Sequence, residues 1–179
     1  MQKREKNYYV DDEKLLEHMI VYRKKYIESL EKGLDKPRLS EYTGKCIMDT
    51  ATNLAKKREY RNYPFKDEMI EYGIENAVAY IHNFNPDVGV KPFNYLTTII
   101  TYAFFRIIAK EKKLLYTKYK SILNFNLEAT LNDQDFSEMI VQSESTLEKM
   151  YDFIKDYEEK KKLKKEKADA KIQEKARDI

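Results

Sequence analysis

The sequence is most informative first through what it lacks. It has no tryptophan, one cysteine, two histidines, and only four glycines and four prolines in 179 residues. A single cysteine, Cys46, cannot close an internal disulfide, which suits a reducing compartment or a small buried apolar residue. His18, His82 and Cys46 stand far apart, without the spacing of a metal site, and such a site needs three or four ligands. No metal, cofactor or catalytic residue is expected. The sequence contains neither a G-x-x-x-x-G-K-S/T loop nor G-x-G-x-x-G, so a nucleotide-handling enzyme has no support. Carboxylates are many but scattered at helical spacing among lysines, where support of the helix is the simpler reading. The opening MQKREKNYYVDDEKLL holds no apolar run of the signal-peptide kind. The longest apolar segment, FNYLTTIITYAFFRIIA over 93–109, is 17 residues long and carries Asn, Thr, Tyr and Arg. A membrane span needs about 20 mostly apolar residues, so no membrane is expected.

What is present is charge and aromatic surface. Charged residues make up 36% of the chain, the net charge is only +3, and mean hydropathy is −0.78. Tyr (15) and Phe (8) raise the aromatic share to 13%, enough apolar surface for a core despite the polarity. Few breakers and many Lys, Glu, Leu and Ala predict an all-α fold, a compact multi-helix bundle with a charged helical C-terminal tail.

Local signals place the helices. Asp11 or Asp12 caps a first helix over about 12–32, with Leu15, Met19, Tyr22, Tyr26 and Leu30 on one face and Gly33 as a left-handed stop. Ser40 opens a second helix to about 58, burying Ile47, Ala51, Leu54 and Ala55. EYRNYPF, 59–65, reads as a loop. Lys66 or Asp67 opens a third helix to about 83, with Met69, Ile70, Ile74, Ala77, Val78 and Ile81 inward. A turn with Pro86, Gly89 and Pro92 leads to a fourth helix over about 93–112. Residues 121–143 read as a polar linker. A last helix starts near Glu144 with Leu147, Met150, Tyr151, Ile154 and Tyr157, and becomes almost all charge after Glu159, as a solvated helix end or disorder does. This divides the chain into a helical domain over 1–120, the linker, and the tail over 144–179.

The fourth helix carries two stripes. Leu96, Ile100, Ala103 and Ile107 recur as a core face. Tyr95, Thr98, Tyr102, Phe105 and Arg106 form a second face, either buried in the bundle or exposed for binding. Charge bears on that choice. Over 106–120, Arg106, Lys110, Lys112, Lys113, Lys118 and Lys120 face one acid, Glu111, a net 6 − 1 = +5. Cations neutralise phosphates and aromatic rings stack on unpaired bases, so the second face is a candidate surface for opened nucleic acid.

The segment EMIEYGIENAVAYIHNFNPDVGVKPFNYLTTIITYAFFRIIAKEKK resembles the most characteristic region of bacterial sigma factors. There, an acidic D-L-I-Q-E-G helix ending in a lone Phe meets a G-x-K-F turn and a T-Y-A-T-W-W-I-R-type helix. Glu68, Met69, Ile70, Glu71, Tyr72 and Gly73 match the acidic start, and Phe84 the Phe. Gly89 and Lys91 match the turn, and Tyr95, Thr97 and Arg106 the last helix. Along most of its length the chain is similar to the small late-transcription sigma factors of T-even-like bacteriophages. It shares with them the Lys6–Val10 opening, the Glu68–Glu75 and Ile81–Phe84 motifs, the basic Lys110–Tyr119 run and the Tyr151–Glu159 motif.

The resemblance implies the sigma region-two fold and a protein that directs host core RNA polymerase to phage late promoters in the cytoplasm of an infected bacterium. It implies that Glu68, Glu71, Tyr72, Ile74, Glu75 and Val78 dock on the coiled coil of the largest polymerase subunit. It further implies that Phe93, Tyr95, Thr98, Ile99 and Tyr102 take the non-template strand of a −10 element, with Lys91, Arg106, Lys110, Lys112 and Lys113 on its phosphates. A phage co-activator and a sliding clamp are further implied partners. No helix-turn-helix candidate follows residue 120, and the family likewise lacks the full −35-reading domain. Two departures stand out. Thr98 and Ile99 occupy the positions of the tryptophan pair that wedges the duplex open. The final EKARDI does not match the family's acidic and hydrophobic clamp-binding end. Two competing readings are a polymerase-binding adaptor without promoter recognition and a plain single-strand-binding protein.

Overall fold

The computed structural model describes residues 9–132 and 144–177. It is all-helical among these residues: α1 (Asp12–Glu31), α2 (Glu41–Ala55), α3 (Lys66–Tyr80), α4 (Pro92–Asn132) and α5 (Glu144–Arg177), with two short 3-10 turns at Ile81–Asn83 and Pro86–Val88. The chain divides into two compact units, Met1–Ala109 and Lys110–Ile179.

In the first unit the helix ends follow local chemistry. The Asp11 carboxylate accepts from the backbone N–H groups of Glu13 and Lys14, and the Ser40 hydroxyl from that of Thr43, satisfying donors that the first helical turn leaves free. Gly33 and Gly89 take positive φ, 63° and 72°, conformations that disfavour any residue with a Cβ. Asp12 acts at long range instead, its carboxylate accepting from the N–H of Phe93 at the start of α4. α3 begins after Phe65 with no side-chain cap.

The core gathers Leu15, Met19 and Tyr22 of α1, Cys46, Ile47, Ala51, Leu54 and Ala55 of α2, Met69 and Ala77 of α3, then Ile81 and Phe84, and Leu96, Ile100, Phe104 and Ile107 of α4. Gly73 sets how closely α3 and α4 approach. A Cβ there would lie 2.9 Å from Phe104 Cε1 and 3.0 Å from Ile100 Cγ2. This glycine is needed for space, not for an unusual backbone angle.

The structure differs from the expected pattern at several points. α2 stops at Ala55, not 58, so Lys56–Tyr63 forms a run of tight turns. Leu30, at the end of the α1 face, and Tyr151 of α5 are 64% and 60% exposed. Val78, expected in the core stripe of α3, is exposed. The fourth helix does not end near 112. It continues to Asn132, so residues 121–132 are helix rather than linker; 133–143 lie outside the described residues. Leu, Glu, Ala and Lys dominate 109–130, and no Gly or Pro stops the helix. The first compact unit ends at Ala109; beyond it Tyr116 and Tyr119 find partners on α5.

The second unit is an antiparallel helix pair. The Tyr116 ring stacks on Tyr157 at 4.5 Å between centroids, and Tyr119 meets Phe153 edge-on at 5.5 Å. The Tyr116 hydroxyl and the Lys120 ammonium both donate to Glu158, at 2.7 and 3.0 Å. Met150 is buried, and from Glu158 to Ala170 every side chain is exposed, so this stretch of the charged tail is a solvated helix.

Candidate nucleic-acid interface

α3 presents an acidic stripe. Glu68, Glu71, Glu75 and Val78 follow i, i+3, i+7 and i+10, and all four are exposed. None of the three carboxylates has an ion-pair partner among the described residues. Tyr72 and Ile74 are half-buried against the core and form the apolar edge of the stripe. Carboxylates free of internal partners beside apolar surface are complementary to a basic helix.

α4 sorts its side chains differently from the expected pocket. Its inward face is Leu96, Ile100, Ala103 and Ile107, as the spacing predicts, widened by Phe104. Tyr95 belongs to the packing as well. Its hydroxyl donates to the Tyr80 carbonyl at 2.8 Å, and its ring meets Phe84 edge-on at 5.2 Å. Burial pushes its phenol above the ordinary value. Tyr95 therefore braces the start of α4 against the end of α3. Phe93 packs on Tyr9 at 5.7 Å, and Ile99 is half-buried against the core. Thr98 is exposed, with its hydroxyl donated to the Asn94 carbonyl. Of the expected base-facing set, Thr98 and Tyr102 are exposed, and Phe93, Tyr95 and Ile99 serve largely in packing. Lys91 is exposed at the turn before α4.

The open aromatic surface is the pair Tyr102 and Phe105, 62% and 51% exposed, with rings 6.5 Å apart and nearly perpendicular. Burial of the second stripe inside the bundle is thereby excluded for both. Tyr60 lies behind Phe105. It is buried, edge-on to Phe104 at 5.3 Å and 6.5 Å from Phe105. Burial first, then the nearby Glu59 carboxylate, holds its phenol above the ordinary value. Because Tyr60 is anchored, the turn around it is held beside the exposed pair. That turn carries Lys56, Lys57, Arg58 and Arg61 against the single acid Glu59, all exposed, a net 4 − 1 = +3. Sequence reasoning read this stretch as a loop. Its signal was a tyrosine inside a basic run, KKREYRNY.

Arg106 is only partly free for a phosphate. Its guanidinium donates to Asn76 Oδ1 at 2.6 Å and lies over the Tyr72 ring at 5.6 Å. Asn76, buried, donates in turn to the Tyr72 carbonyl. Arg106 thus ties α4 to the helix that bears the acidic stripe. Arg106→Ala leaves a buried amide oxygen without its partner and is expected to lower stability by about 1 kcal/mol. Chemical denaturation should show this even if nucleic-acid binding is unchanged. Lys110, Lys112 and Lys113 are exposed but belong to the second unit.

Other chemistry has little footing. Cys46 is buried, and burial pushes its thiol up, away from nucleophilic use. Among the described residues, no group of three or more His, Cys, Asp or Glu converges as for a metal ion, and no helix is long and apolar enough to cross a membrane. Compared with known proteins, the chain matches no family model and no curated protein.

Proposed function

We propose that the protein is a sigma factor that recruits host core RNA polymerase to phage late promoters and holds a melted −10 element. In this reading Glu68, Glu71 and Glu75, with Tyr72, Ile74 and Val78, contact the coiled coil of the largest polymerase subunit. Tyr102 and Phe105, flanked by Thr98, Lys91 and the 56–61 basic turn, hold the unpaired strand. The observation that carries the reading is the joining of these two surfaces. An unpaired acidic stripe on α3 and an exposed aromatic–basic patch on α4 share one core, locked by the Gly73 contact and by Arg106 on Asn76. A protein that couples polymerase to opened DNA needs that arrangement.

Thr98 and Ile99 offer no ring at the wedge positions. This favours, as a second reading, a protein that holds single strands without opening them. Polymerase binding separates the two. Glu71→Lys reverses a charge on an exposed, unpaired side chain, so the fold should be kept. Co-sedimentation with core polymerase is expected to drop about tenfold or more in affinity, the penalty of placing like charges across an interface. Wild-type protein that fails to bind core polymerase at all would leave the single-strand reading. Binding of core polymerase unaffected by Glu71→Lys would remove α3 from the interface.

A further inference from the structure

The second unit gathers lysines from two distant stretches of sequence at one end of its helix pair. Tyr116 stacks on Tyr157, and Tyr119, further along α4, meets Phe153, earlier in α5. The helices are therefore antiparallel, and residues three to six before Tyr116 lie level with residues three to six after Tyr157. Lys110, Lys112 and Lys113 stand beside the stretch that begins Lys160, Lys161, Lys162. Helices packed side by side have axes about 8–10 Å apart, within the screening length of about 10 Å at 0.1 M salt. The two sets of charges therefore feel one another.

Inside the unit Asp156 pairs with Lys160 and Glu158 lies near Lys161, which leaves most of these lysines without an ion pair among the described residues. Residues 160–165 hold five lysines and no acid, and residues 110–113 three lysines and one acid. All eight lysines are exposed. Among them only Lys160 has an ion pair, to Asp156 one turn back; the other seven have none among the described residues. A fold that places eight exposed lysines together, seven of them without an ion pair among the described residues, is complementary to a dense external polyanion. The lysines of α5 point around the helix rather than along one face, and 159–170 offers only Leu163, Ala168 and Ala170 as apolar side chains. A helix that lies on a lipid surface needs a continuous apolar face, and this one has none. Nor does it expose rings for stacking on bases. What remains is attraction to closely spaced phosphates.

We propose that this end of the second unit is a sequence-independent binding surface for the phosphate backbone of duplex nucleic acid, formed jointly by Lys110–Lys113 and Lys160–Lys165. It does not rest on the promoter reading, and its test contains neither polymerase nor a promoter element. Full-length protein is titrated onto a fluorescent random-sequence 25-base-pair duplex at a series of salt concentrations, as wild type, as K110Q/K112Q/K113Q, and as K160Q/K161Q/K162Q/K164Q/K165Q. Glutamine keeps helix propensity, and circular dichroism checks that it does. For wild type, log affinity should fall steeply with log salt. Each phosphate contact removed should flatten that slope by about 0.9. Both variants should lose at least about tenfold in affinity at 50 mM salt, because the two segments form one surface. A wild-type slope near zero would overturn the proposal, as would either variant binding like wild type. Capture by vesicles of phosphatidylserine and phosphatidylcholine without duplex binding would overturn it in favour of a lipid surface.

Discussion

Phe104→Ala and Phe105→Ala, adjacent substitutions of the same residue type, are expected to fail in opposite ways. Phe104 is fully buried and touches Tyr60 and the Gly73 site. Truncating a buried Phe costs about 3–5 kcal/mol, so Phe104→Ala should unfold much of the first unit near physiological temperature. Phe105 is half in solvent and loses little packing when shortened. Paired with Tyr102→Ala, it should leave the thermal midpoint within a few degrees of wild type and remove binding to single-stranded DNA. Stacking contributes roughly 1–3 kcal/mol per ring, so losing both rings should weaken affinity by about two orders of magnitude or more. Calorimetry and fluorescence anisotropy on a thymine-rich oligonucleotide measure the two effects separately. Normal single-strand affinity in a folded Tyr102/Phe105 double variant would show that the bases bind elsewhere.

Gly73→Ala and Gly44→Ala should likewise move stability in opposite directions. Both glycines lie inside helices, where alanine is favoured by up to about 1 kcal/mol. Around Gly44 there is open space; at Gly73 the new methyl would press on Phe104 and Ile100. Two packed core side chains must shift, and overfilling a core costs about 1–3 kcal/mol. Gly44→Ala is expected to raise the midpoint by a few degrees. Gly73→Ala should lower it by roughly 5 °C or more, given about 4–8 °C per kcal/mol for a unit of this size. Gly73→Val, adding two further methyl groups at a fully closed contact, should prevent folding. A stabilising Gly73→Ala would show that α3 and α4 have slack between them and that this glycine does not set their spacing.

These pairs also mark what was legible in the sequence. Caps and turns were, because Asp11, Ser40, Gly33 and Gly89 act on backbone within a few residues of themselves. The inward stripe of α4 was legible for the same reason: helical spacing fixes a face. Phe104 and Phe105 were harder, since adjacent positions differ by about 100° around the helix and either could border the core. The neighbours decided it, through Gly73 opening space for one ring. The packing of Tyr95 was not legible, because its partners, Tyr80 and Phe84, reach it through a turn whose path the spacing does not fix. The basic turn at 56–61 gained a role only because Tyr60 anchors it beside Phe105, a contact across more than forty residues. The acidic stripe of α3 was singled out by the resemblance, not by spacing, which read the carboxylates as helix support; its exposure is what the structure adds. The pairing of Lys110–Lys113 with Lys160–Lys165 was not, because it depends on the antiparallel register that Tyr116 and Tyr157 set.

The central claim is that this chain couples core polymerase to an opened −10 element. The most direct measurement is permanganate reactivity of thymines on a supercoiled template carrying a short A/T-rich −10 element, with core polymerase and this protein. Thymines within the element should become reactive, transcripts should start downstream, and the Tyr102/Phe105 double variant should bind core polymerase yet leave the thymines protected. Stable binding to core polymerase with no reactive thymines and no start at the element would contradict the account and favour an adaptor.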